Sequence, residues 1–233
     1  MNATDHDAAG KATGHGAEKA DAESAGEAAA RFFREAFAGL PLMAILRGFD
    51  VPRTLQVSRR AWDIGIELVE VPVQSREAFE ALRAAVTAGA ERGAAVGAGT
   101  VISVEQVREA AAAGARFTVA PGFDREVARA SLDAGLPHLP GVATASEVQQ
   151  AMGLGLTWLK AFPAAQLGAD WLGAMAGPFP RARFVATGGM HLGNAEEFLD
   201  AGAGAVSLGS ALADDAQFAR LPELVETIAQ HTA

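Results

Sequence analysis

Residues 156–163 read Leu-Thr-Trp-Leu-Lys-Ala-Phe-Pro, an apolar run that contains a single amine. Gly155 precedes the run and Phe162–Pro163 ends it, a pattern that predicts a short buried β-strand with a sharp exit. Lys160 is the only lysine after Lys19. Burial disfavours the ammonium form and lowers the pKa of an amine, which makes it a nucleophile towards carbonyl carbon. A lysine at a strand end can equally extend its amine into water, so this segment alone leaves both interpretations open.

Similar apolar strands recur on both sides of this stretch, in alternation with helical segments. Continuous apolar strands are typical of a parallel sheet that is covered on both faces. The predicted strands are Leu42–Leu46, Ile66–Val73, Ala94–Ala98, Arg116–Ala120, His138–Pro140, Thr157–Ala161, Arg183–Ala186 and Ala205–Leu208. The predicted helices are Pro52–Asp63, Arg76–Gly89, Ser103–Ala113, Arg125–Ala134, Ser146–Met152, Gly168–Ala176, Asn194–Ala201 and one within Ala211–Gln230. Glycine C-caps are predicted at Gly65, Gly114, Gly135, Gly155 and Gly202.

This alternation predicts the α/β fold class, as a closed (β/α)8 TIM barrel rather than an open doubly wound sheet. No GxGxxG motif follows the first strand, which argues against a dinucleotide cofactor. An alanine-rich stretch with phenylalanines, Glu27–Phe37, predicts an extra N-terminal helix laid against the domain. Residues 1–26 contain no Leu, Ile, Val or Phe, so we expect a disordered leader followed by a single domain over 27–233.

The composition narrows the possible partners. A net charge of -9 argues against nucleic acid and anionic membrane surfaces. The chain has no cysteine, which excludes disulfides and thiol chemistry. It also has no apolar run of membrane-spanning length and no apolar signal region near its start, so we expect a cytoplasmic protein.

In such a barrel the functional residues collect where the strands end. Glu70 interrupts the second apolar strand, where burial would raise its pKa and suit it to general acid/base catalysis. An ion pair with Arg47, which follows the first strand, is the structural alternative. Thr100 follows the third strand and can either cap the next helix or face the site; Ser103 is the better cap.

Glycine turns follow the last two strands and predict an anion site. Gly188 and Gly189 come after the seventh strand, and Gly209 and Ser210 come after the eighth. Backbone N–H groups at this position of a barrel commonly bind phosphate, although ordinary left-handed turns also use glycine. No cluster of His, Asp or Glu has the spacing of metal ligands, so we expect neither a metal nor a cofactor.

With these positions in place, the chain resembles the class I aldolases that act on 2-keto-3-deoxy-6-phosphogluconate and 2-keto-3-deoxy-6-phosphogalactonate. The similarity runs in order over about residues 40 to 215, with each motif at a strand end. The matching motifs are Ala44–Gly48, Val69–Ser75, Val96–Val101, Pro121–Gly122, Pro140–Thr144, Leu159–Pro163, Thr187–Gly189 and Gly209–Ser210.

The resemblance implies a role for each matching residue and no metal. Lys160 would form the Schiff base with the substrate and Glu70 would be the general acid/base. The other implied substrate-binding positions are Arg47, Thr100, Pro121, Thr144, Thr187, Gly188, Gly189, Gly209 and Ser210, the last four as a phosphate cradle. The implied partner is a phosphorylated 2-keto-3-deoxy sugar acid, cleaved to pyruvate and D-glyceraldehyde 3-phosphate, and the implied assembly is a homotrimer.

Three matters stay open at the level of the sequence. Gln74 stands where gluconate-type relatives often have arginine, which favours the galactonate branch, whereas Thr187 resembles the gluconate branch. Activity on 4-hydroxy-2-oxoglutarate, which has no phosphate, is a further option. The alternatives to an aldolase are a sugar-phosphate epimerase or isomerase on the same barrel, and a non-catalytic sugar-phosphate-binding barrel.

Overall fold

The computed structural model describes residues 24–232, and it shows a parallel sheet rolled into a barrel. All strand pairs are parallel and the sheet order is β5-β4-β3-β2-β1-β9-β8-β7-β6. The strands are β1 Leu42–Ile45, β2 Leu68–Pro72, β3 Ala95–Gly99, β4 Thr118–Val119, β5 His138–Leu139, β6 Gly141–Val142, β7 Trp158–Ala161, β8 Arg183–Thr187 and β9 Ala205–Leu208.

The barrel closes through one strand that is interrupted at Pro140. Its first half, β5, pairs with β4, and its second half, β6, pairs with β7. The Pro140 carbonyl accepts the N–H of Lys160 at 2.8 Å, so the proline, which has no N–H, still takes part in the ladder. The nine strand segments are therefore eight barrel strands, which confirms the predicted (β/α)8 TIM barrel.

Helices follow the strands around the outside of the barrel. They are α1 at 24–36, α2 Val51–Asp63, α3 Arg76–Ala90, α4 Val104–Ala112, α5 Arg125–Asp133, α6 Ala145–Met152, α7 Ala164–Leu167, α8 Asp170–Ala176, α9 Ala195–Asp200, α10 Ser210–Ala213, α11 Asp215–Ala219 and α12 Leu221–Thr232. The predicted cap at Ser103 is confirmed, since its hydroxyl accepts the N–H of Gln106. The five predicted C-cap glycines all have positive φ, which L side chains rarely adopt.

The structure differs from the prediction at two helices. The helix expected over 168–176 begins only at Asp170, and a short helix that was not predicted, α7, precedes it and ends at Gly168, which has φ +82°. The expected last helix is three helices, because the Asp214 carboxylate accepts the N–H groups of Ala216 and Gln217 and begins α11 anew. The predicted leader, 1–26, lies outside the described residues except for 24–26, which are part of α1. No helix among residues 24–232 is long and apolar enough to cross a membrane.

Helix α1 seals the end of the barrel where the strands begin. Phe33 and Phe37 pack with inward-facing side chains of the strands, among them Phe117 and Trp158. The ring centroids of Phe37 and Trp158 are 5.2 Å apart, and those of Phe33 and Phe117 are 5.9 Å apart with an edge-to-face geometry. Because aromatic side chains fill this end, access to the barrel interior is from the end where the strands finish.

A set of buried polar side chains on β4, β5 and α5 faces the helix layer rather than the barrel interior. The Thr118 hydroxyl lies 2.8 Å from Nδ1 of His138 and also bonds to the Ser131 hydroxyl on α5. His138 is buried, and its burial lowers the pKa of its imidazole from 6.5 to about 4. His138 therefore packs between the sheet and α5 and is not part of the barrel interior.

We expect His138 to make the fold sensitive to acid. In the native state the imidazole stays neutral down to about pH 4, whereas the unfolded chain binds a proton near pH 6.5. The stabilising contribution is therefore complete above pH 6.5 and is lost as the pH falls towards 4, by roughly 3 kcal/mol. Urea unfolding of His138→Asn at pH 7.5 and 4.5 should show a smaller loss than the wild type shows.

His191 provides the control for this measurement, because it lies exposed on a loop. His191→Gln should lose as much stability between the two pH values as the wild type does. An undiminished acid loss in His138→Asn would show that another group is responsible.

Candidate active site

Lys160 points into the barrel from β7, in the same direction as Trp158. Alternate residues of a strand face opposite sides, so Leu159 packs into the helix layer while Lys160 faces the interior. Only 2% of Lys160 is exposed. Its amine lies 4.9 Å from the centroid of the Phe162 ring, within range of a cation–π contact when it is charged. The structure therefore realises the buried alternative rather than an amine extended into bulk water.

Glu70 lies in the barrel interior on β2 and is completely buried. Its strand neighbours in register are Ile45 on β1 and Gly97 on β3. Neither carboxylate oxygen has a hydrogen-bond partner among the described residues. A buried carboxyl group without a fixed partner is free to exchange protons with a bound molecule, which is what a general acid/base requires.

The pKa values of the two groups are shifted towards their neutral forms. Burial raises the pKa of Glu70, an effect that the charges of Lys160 and Arg47 oppose. Burial lowers the pKa of Lys160, opposed by the charge of Glu70 and assisted by that of Arg47. A deprotonated amine can attack a carbonyl carbon, and a protonated carboxyl group can donate the proton that the resulting alkoxide needs.

Space for the Glu70 carboxyl group is provided by glycines on the neighbouring strand. A Cβ atom at Gly99 would overlap the Glu70 carboxylate, 1.4 Å from Oε1, and a Cβ atom at Gly97 would overlap the Phe117 ring. Both glycines are inward-facing positions of β3, so the strand leaves one side of the barrel interior free for larger side chains of its neighbours.

We expect Gly99→Ala to inactivate the protein while leaving it folded. The methyl group would displace the Glu70 carboxyl group. The rate of the cleavage reaction that the sequence leads us to expect should then fall by about 10²-fold or more. In a Glu70→Gln background the same change should cost far less, because the proton donor is already absent. Gly173→Ala, where nothing lies within 4 Å of the new methyl group, is the control. Equal rate losses in both backgrounds would contradict this account.

Arg47 lies at the rim of the site and is held by two polar side chains. Its Nη1 donates to Oε1 of Gln74 at 2.6 Å, and its Nη2 lies 3.5 Å from the Thr100 hydroxyl. Thr100 has φ +57°, a left-handed conformation that is uncommon for a residue other than glycine. The expected alternative, a structural ion pair between Arg47 and Glu70, is not formed. The guanidinium is exposed and can bind an anion that enters the site.

The two glycine turns lie at the same mouth of the barrel. Gly188 and Gly189 have φ +94° and +75°, and a Cβ atom at Gly189 would lie 2.5 Å from Cβ of Ala165. Their carbonyl groups accept hydrogen bonds from Ala165 N–H and from the Asn194 side chain. Their N–H groups have no backbone acceptor among the described residues, so they can donate to a bound anion.

One cavity of about 500 Å³ is shared by Lys160, Arg47 and the two glycine turns. Of the predicted site residues, it is lined by Arg47, Lys160, Thr187, Gly188, Gly189, Gly209 and Ser210. The sequence did not indicate several further lining residues, namely Ile45, Phe49, Phe162, Met190, Ser207 and Ala213. Most are apolar, and apolar side chains on buried strands give no sequence signal that separates the cavity wall from the helix layer.

Four predicted residues do not line this cavity. Two of them are next to it in the fold: Glu70 is buried in the barrel interior, and the Thr100 hydroxyl lies 3.5 Å from Nη2 of Arg47. Thr144 is exposed and caps α6, where its hydroxyl and Glu147 form a capping box. Pro121 is half-buried after β4, with its carbonyl against Gly141. Neither lines the cavity, so a contact of either residue with a substrate stays a prediction from the resemblance. Among the residues that the structure describes, no group of three or more His, Cys, Asp and Glu side chains could hold a metal ion.

The fold and the site define the class of this molecule: a (β/α)8 barrel with a buried amine and a buried carboxyl group, and with glycine turns at its mouth. A family model described as KDPG and KHG aldolase matches residues 34–226. The chain belongs to this family. It is 35% identical to the 2-dehydro-3-deoxy-6-phosphogalactonate aldolase of Escherichia coli strain K12 over 195 residues, 83% of this chain and 92% of that protein.

Other similar proteins carry gluconate names. The 2-dehydro-3-deoxy-phosphogluconate aldolase of Treponema pallidum strain Nichols is 42% identical over 136 residues, 58% of this chain but only 64% of that protein. Among solved structures, the KDPG aldolase of Legionella pneumophila superposes with a TM-score of 0.71 at 31% identity, over 85% of this chain and 96% of that one. That structure holds pyruvate captured at low pH as a covalent carbinolamine intermediate.

Proposed function

We propose that this protein is a metal-independent class I aldolase, a lyase that cleaves 2-keto-3-deoxy-6-phosphogluconate to pyruvate and D-glyceraldehyde 3-phosphate. The galactonate epimer is the second expected substrate, and 4-hydroxy-2-oxoglutarate is the third. One observation carries the proposal: Lys160 and Glu70 are both buried inside one barrel beneath two glycine turns, close enough for the charge of each to act on the pKa of the other. Burial shifts both pKa values towards the neutral forms.

The first stage of the proposed reaction forms an imine. The neutral amine of Lys160 attacks the C2 carbonyl carbon, and the carbonyl oxygen takes a proton from Glu70 to give a carbinolamine. The attacking nitrogen, which is positively charged after the addition, then returns a proton to Glu70. With that proton from Glu70 the C2 hydroxyl group leaves as water, and an iminium ion and the Glu70 carboxylate remain. Burial of Lys160 favours this stage because it keeps the nitrogen lone pair available.

The second stage breaks the carbon–carbon bond. The carboxylate of Glu70 accepts the C4 hydroxyl proton, the C3–C4 electron pair moves into the iminium group, and glyceraldehyde 3-phosphate leaves. The enamine that remains is protonated at C3 and hydrolysed by one water molecule, which releases pyruvate and restores the amine. Because Glu70 has no fixed hydrogen-bond partner among the described residues, it can serve as donor and acceptor in turn.

The two charged ends of the substrate would bind at opposite sides of the mouth. Arg47, held by Gln74 and Thr100, is placed to bind the carboxylate next to the reacting carbonyl group. The phosphate would accept hydrogen bonds from the N–H groups of Gly188 and Gly189 and from the Ser210 hydroxyl. Fixing both ends places C2 at the amine.

A cleavage assay tests the proposal. The purified protein is incubated with each C4 epimer and, separately, with 4-hydroxy-2-oxoglutarate, and pyruvate release is followed in the presence of a chelator. We expect pyruvate from both phosphorylated epimers, faster from the gluconate compound. Absence of pyruvate from all three substrates would overturn the proposal. Interconversion of the two epimers without pyruvate would instead support the epimerase alternative, and binding without any conversion would support a non-catalytic barrel.

Two further expectations concern the protein in the cell. We expect a homotrimer, and light scattering should then give a mass roughly three times the chain mass of 23.9 kDa. A mass equal to that of one chain would contradict this expectation. The cytoplasmic location expected from the sequence stays a prediction, which cell fractionation checks.

A further inference from the structure

Thr187 and Ser207 form a buried pair of hydroxyl groups inside the barrel. They are partners in register on β8 and β9, and both line the cavity that contains Lys160. The exposed fraction is 3% for Thr187 and 2% for Ser207. Their oxygen atoms are 3.1 Å apart, and the Thr187 oxygen is also 3.3 Å from the Val185 carbonyl oxygen. Ser207 has no place in the aldolase reaction as described so far.

The hydrogen-bonding capacity of this pair is not exhausted by the protein. Two hydroxyl groups carry two protons, and one of these lies between the two oxygens. If Thr187 donates to Ser207, the Ser207 proton has no other acceptor among the described residues and is available to a molecule in the cavity. If Ser207 donates, the Thr187 proton goes to Val185 and the pair offers lone pairs instead. The direction of this hydrogen bond thus determines whether the pair offers a bound molecule a proton, from Ser207, or only lone pairs.

The pair is located between the two ends of the proposed substrate. Lys160 is paired in register with Val185 on β8. Thr187 lies two residues further along this strand, and Gly188, the first glycine of the turn, follows it directly. A substrate with its carbonyl group at Lys160 and its phosphate at the turns places its hydroxyl-bearing middle carbons beside the pair. Much of the remaining cavity wall is apolar, including Ile45 and Phe162.

We propose that Ser207 is a specificity-determining residue that sets, through its hydrogen bond with Thr187, which C4 epimer the protein makes and cleaves. The inference rests on the proposed aldolase function. The two epimers differ only in the direction of the C4 hydroxyl group. In one epimer this group meets the Thr187–Ser207 pair, whereas in the other it meets apolar side chains and loses a hydrogen bond.

The reverse reaction provides a stereochemical test. With pyruvate and D-glyceraldehyde 3-phosphate, C3 of the enamine attacks the aldehyde carbon and the aldehyde oxygen takes a proton, which creates the C4 hydroxyl group. The ratio of the two epimers at early conversion is measured by NMR. This ratio does not depend on how much of a variant is folded. The wild-type ratio should differ from one, and Ser207→Ala should bring it closer to one by about three- to tenfold.

The chain contains a matched control for the loss of a buried serine hydroxyl. Ser131 is also buried and also bonds to a threonine, Thr118, but this pair faces the helix layer outside the cavity. Ser131→Ala should leave the epimer ratio at its wild-type value. If Ser207→Ala does not fold, Ser207→Cys, which keeps the volume but is a weak hydrogen-bonding group, should shift the ratio in the same direction.

The possible outcomes separate this inference from the function on which it rests. Failure of the wild type to form any carbon–carbon bond would overturn the aldolase proposal together with the role of Ser207. Product formation with an epimer ratio of one in the wild type would overturn the role of Ser207 alone. An unchanged ratio in the Ser207 variants, or an equal shift in Ser131→Ala, would do the same.

Discussion

Replacement of Lys160 by methionine should abolish cleavage of the phosphorylated substrates, with kcat reduced by roughly 10⁵-fold or more. Without the amine no imine forms, and the electrons of the C3–C4 bond have no acceptor. Methionine has a similar length and no charge, so it can occupy the same buried position without a cavity. Pyruvate release in a coupled assay measures the loss, and circular dichroism confirms that the fold is retained.

The controls for this variant use the anion site and the other lysines. Inorganic phosphate should still bind to Lys160→Met, because the glycine turns and Ser210 are unchanged. Lys11 and Lys19 are the only other lysines, and the double replacement by arginine should leave cleavage at the wild-type rate. Cleavage by Lys160→Met at more than a small fraction of the wild-type rate would refute the role of this amine.

Replacement of Glu70 by glutamine should reduce kcat by about 10²- to 10⁴-fold and at the same time stabilise the fold. Glutamine has nearly the same shape but cannot exchange a proton at neutral pH. Because the charge of Glu70 opposes the lowering of the Lys160 pKa, its removal should lower that pKa further. The loss of rate would then come from proton transfer rather than from an amine that has become protonated.

The stability effect of this replacement has a defined dependence on pH. Burial raises the pKa of Glu70 above its ordinary value of 4.5, so between that value and the native pKa the native state keeps a proton that the unfolded state has lost. Wild-type stability therefore falls as the pH rises through this interval, and the glutamine variant escapes the fall. Urea unfolding should give nearly equal stabilities at pH 4 and a more stable variant at pH 8. A variant less stable than the wild type at pH 8 would contradict the buried, unpartnered carboxyl group.

The sequence was sufficient to predict the barrel and to single out Lys160 and Glu70 as candidate site residues. Eight apolar strands with glycine-capped helices between them have few other solutions, because buried parallel strands need helices on the outside. A lysine and a glutamate are costly to bury within such strands, so Lys160 and Glu70 were candidates for function. The sequence alone left open a lysine that extends into water and a glutamate paired with Arg47. The Ser103 cap was also predictable, because its interaction with Gln106 is local in sequence.

The features that the sequence did not reveal depend on the direction of side chains and on distant neighbours. Thr144 follows a strand end like the other site residues, but Glu147 three positions later recruits it as a helix cap. Ser207 lies within an apolar strand whose pattern does not show which face is inside. The hydrogen bond from Arg47 to Gln74 joins two loops, and only the barrel brings them together.

Trapping of the imine is the most direct test of the central claim, that the buried amine of Lys160 reacts with a ketone. The protein is incubated with pyruvate, reduced with borohydride, digested and analysed by mass spectrometry. We expect one adduct per chain, with the mass of a reduced pyruvyl imine, on the peptide that contains Lys160. The absence of an adduct, or an adduct found only on Lys11 or Lys19, would contradict the account.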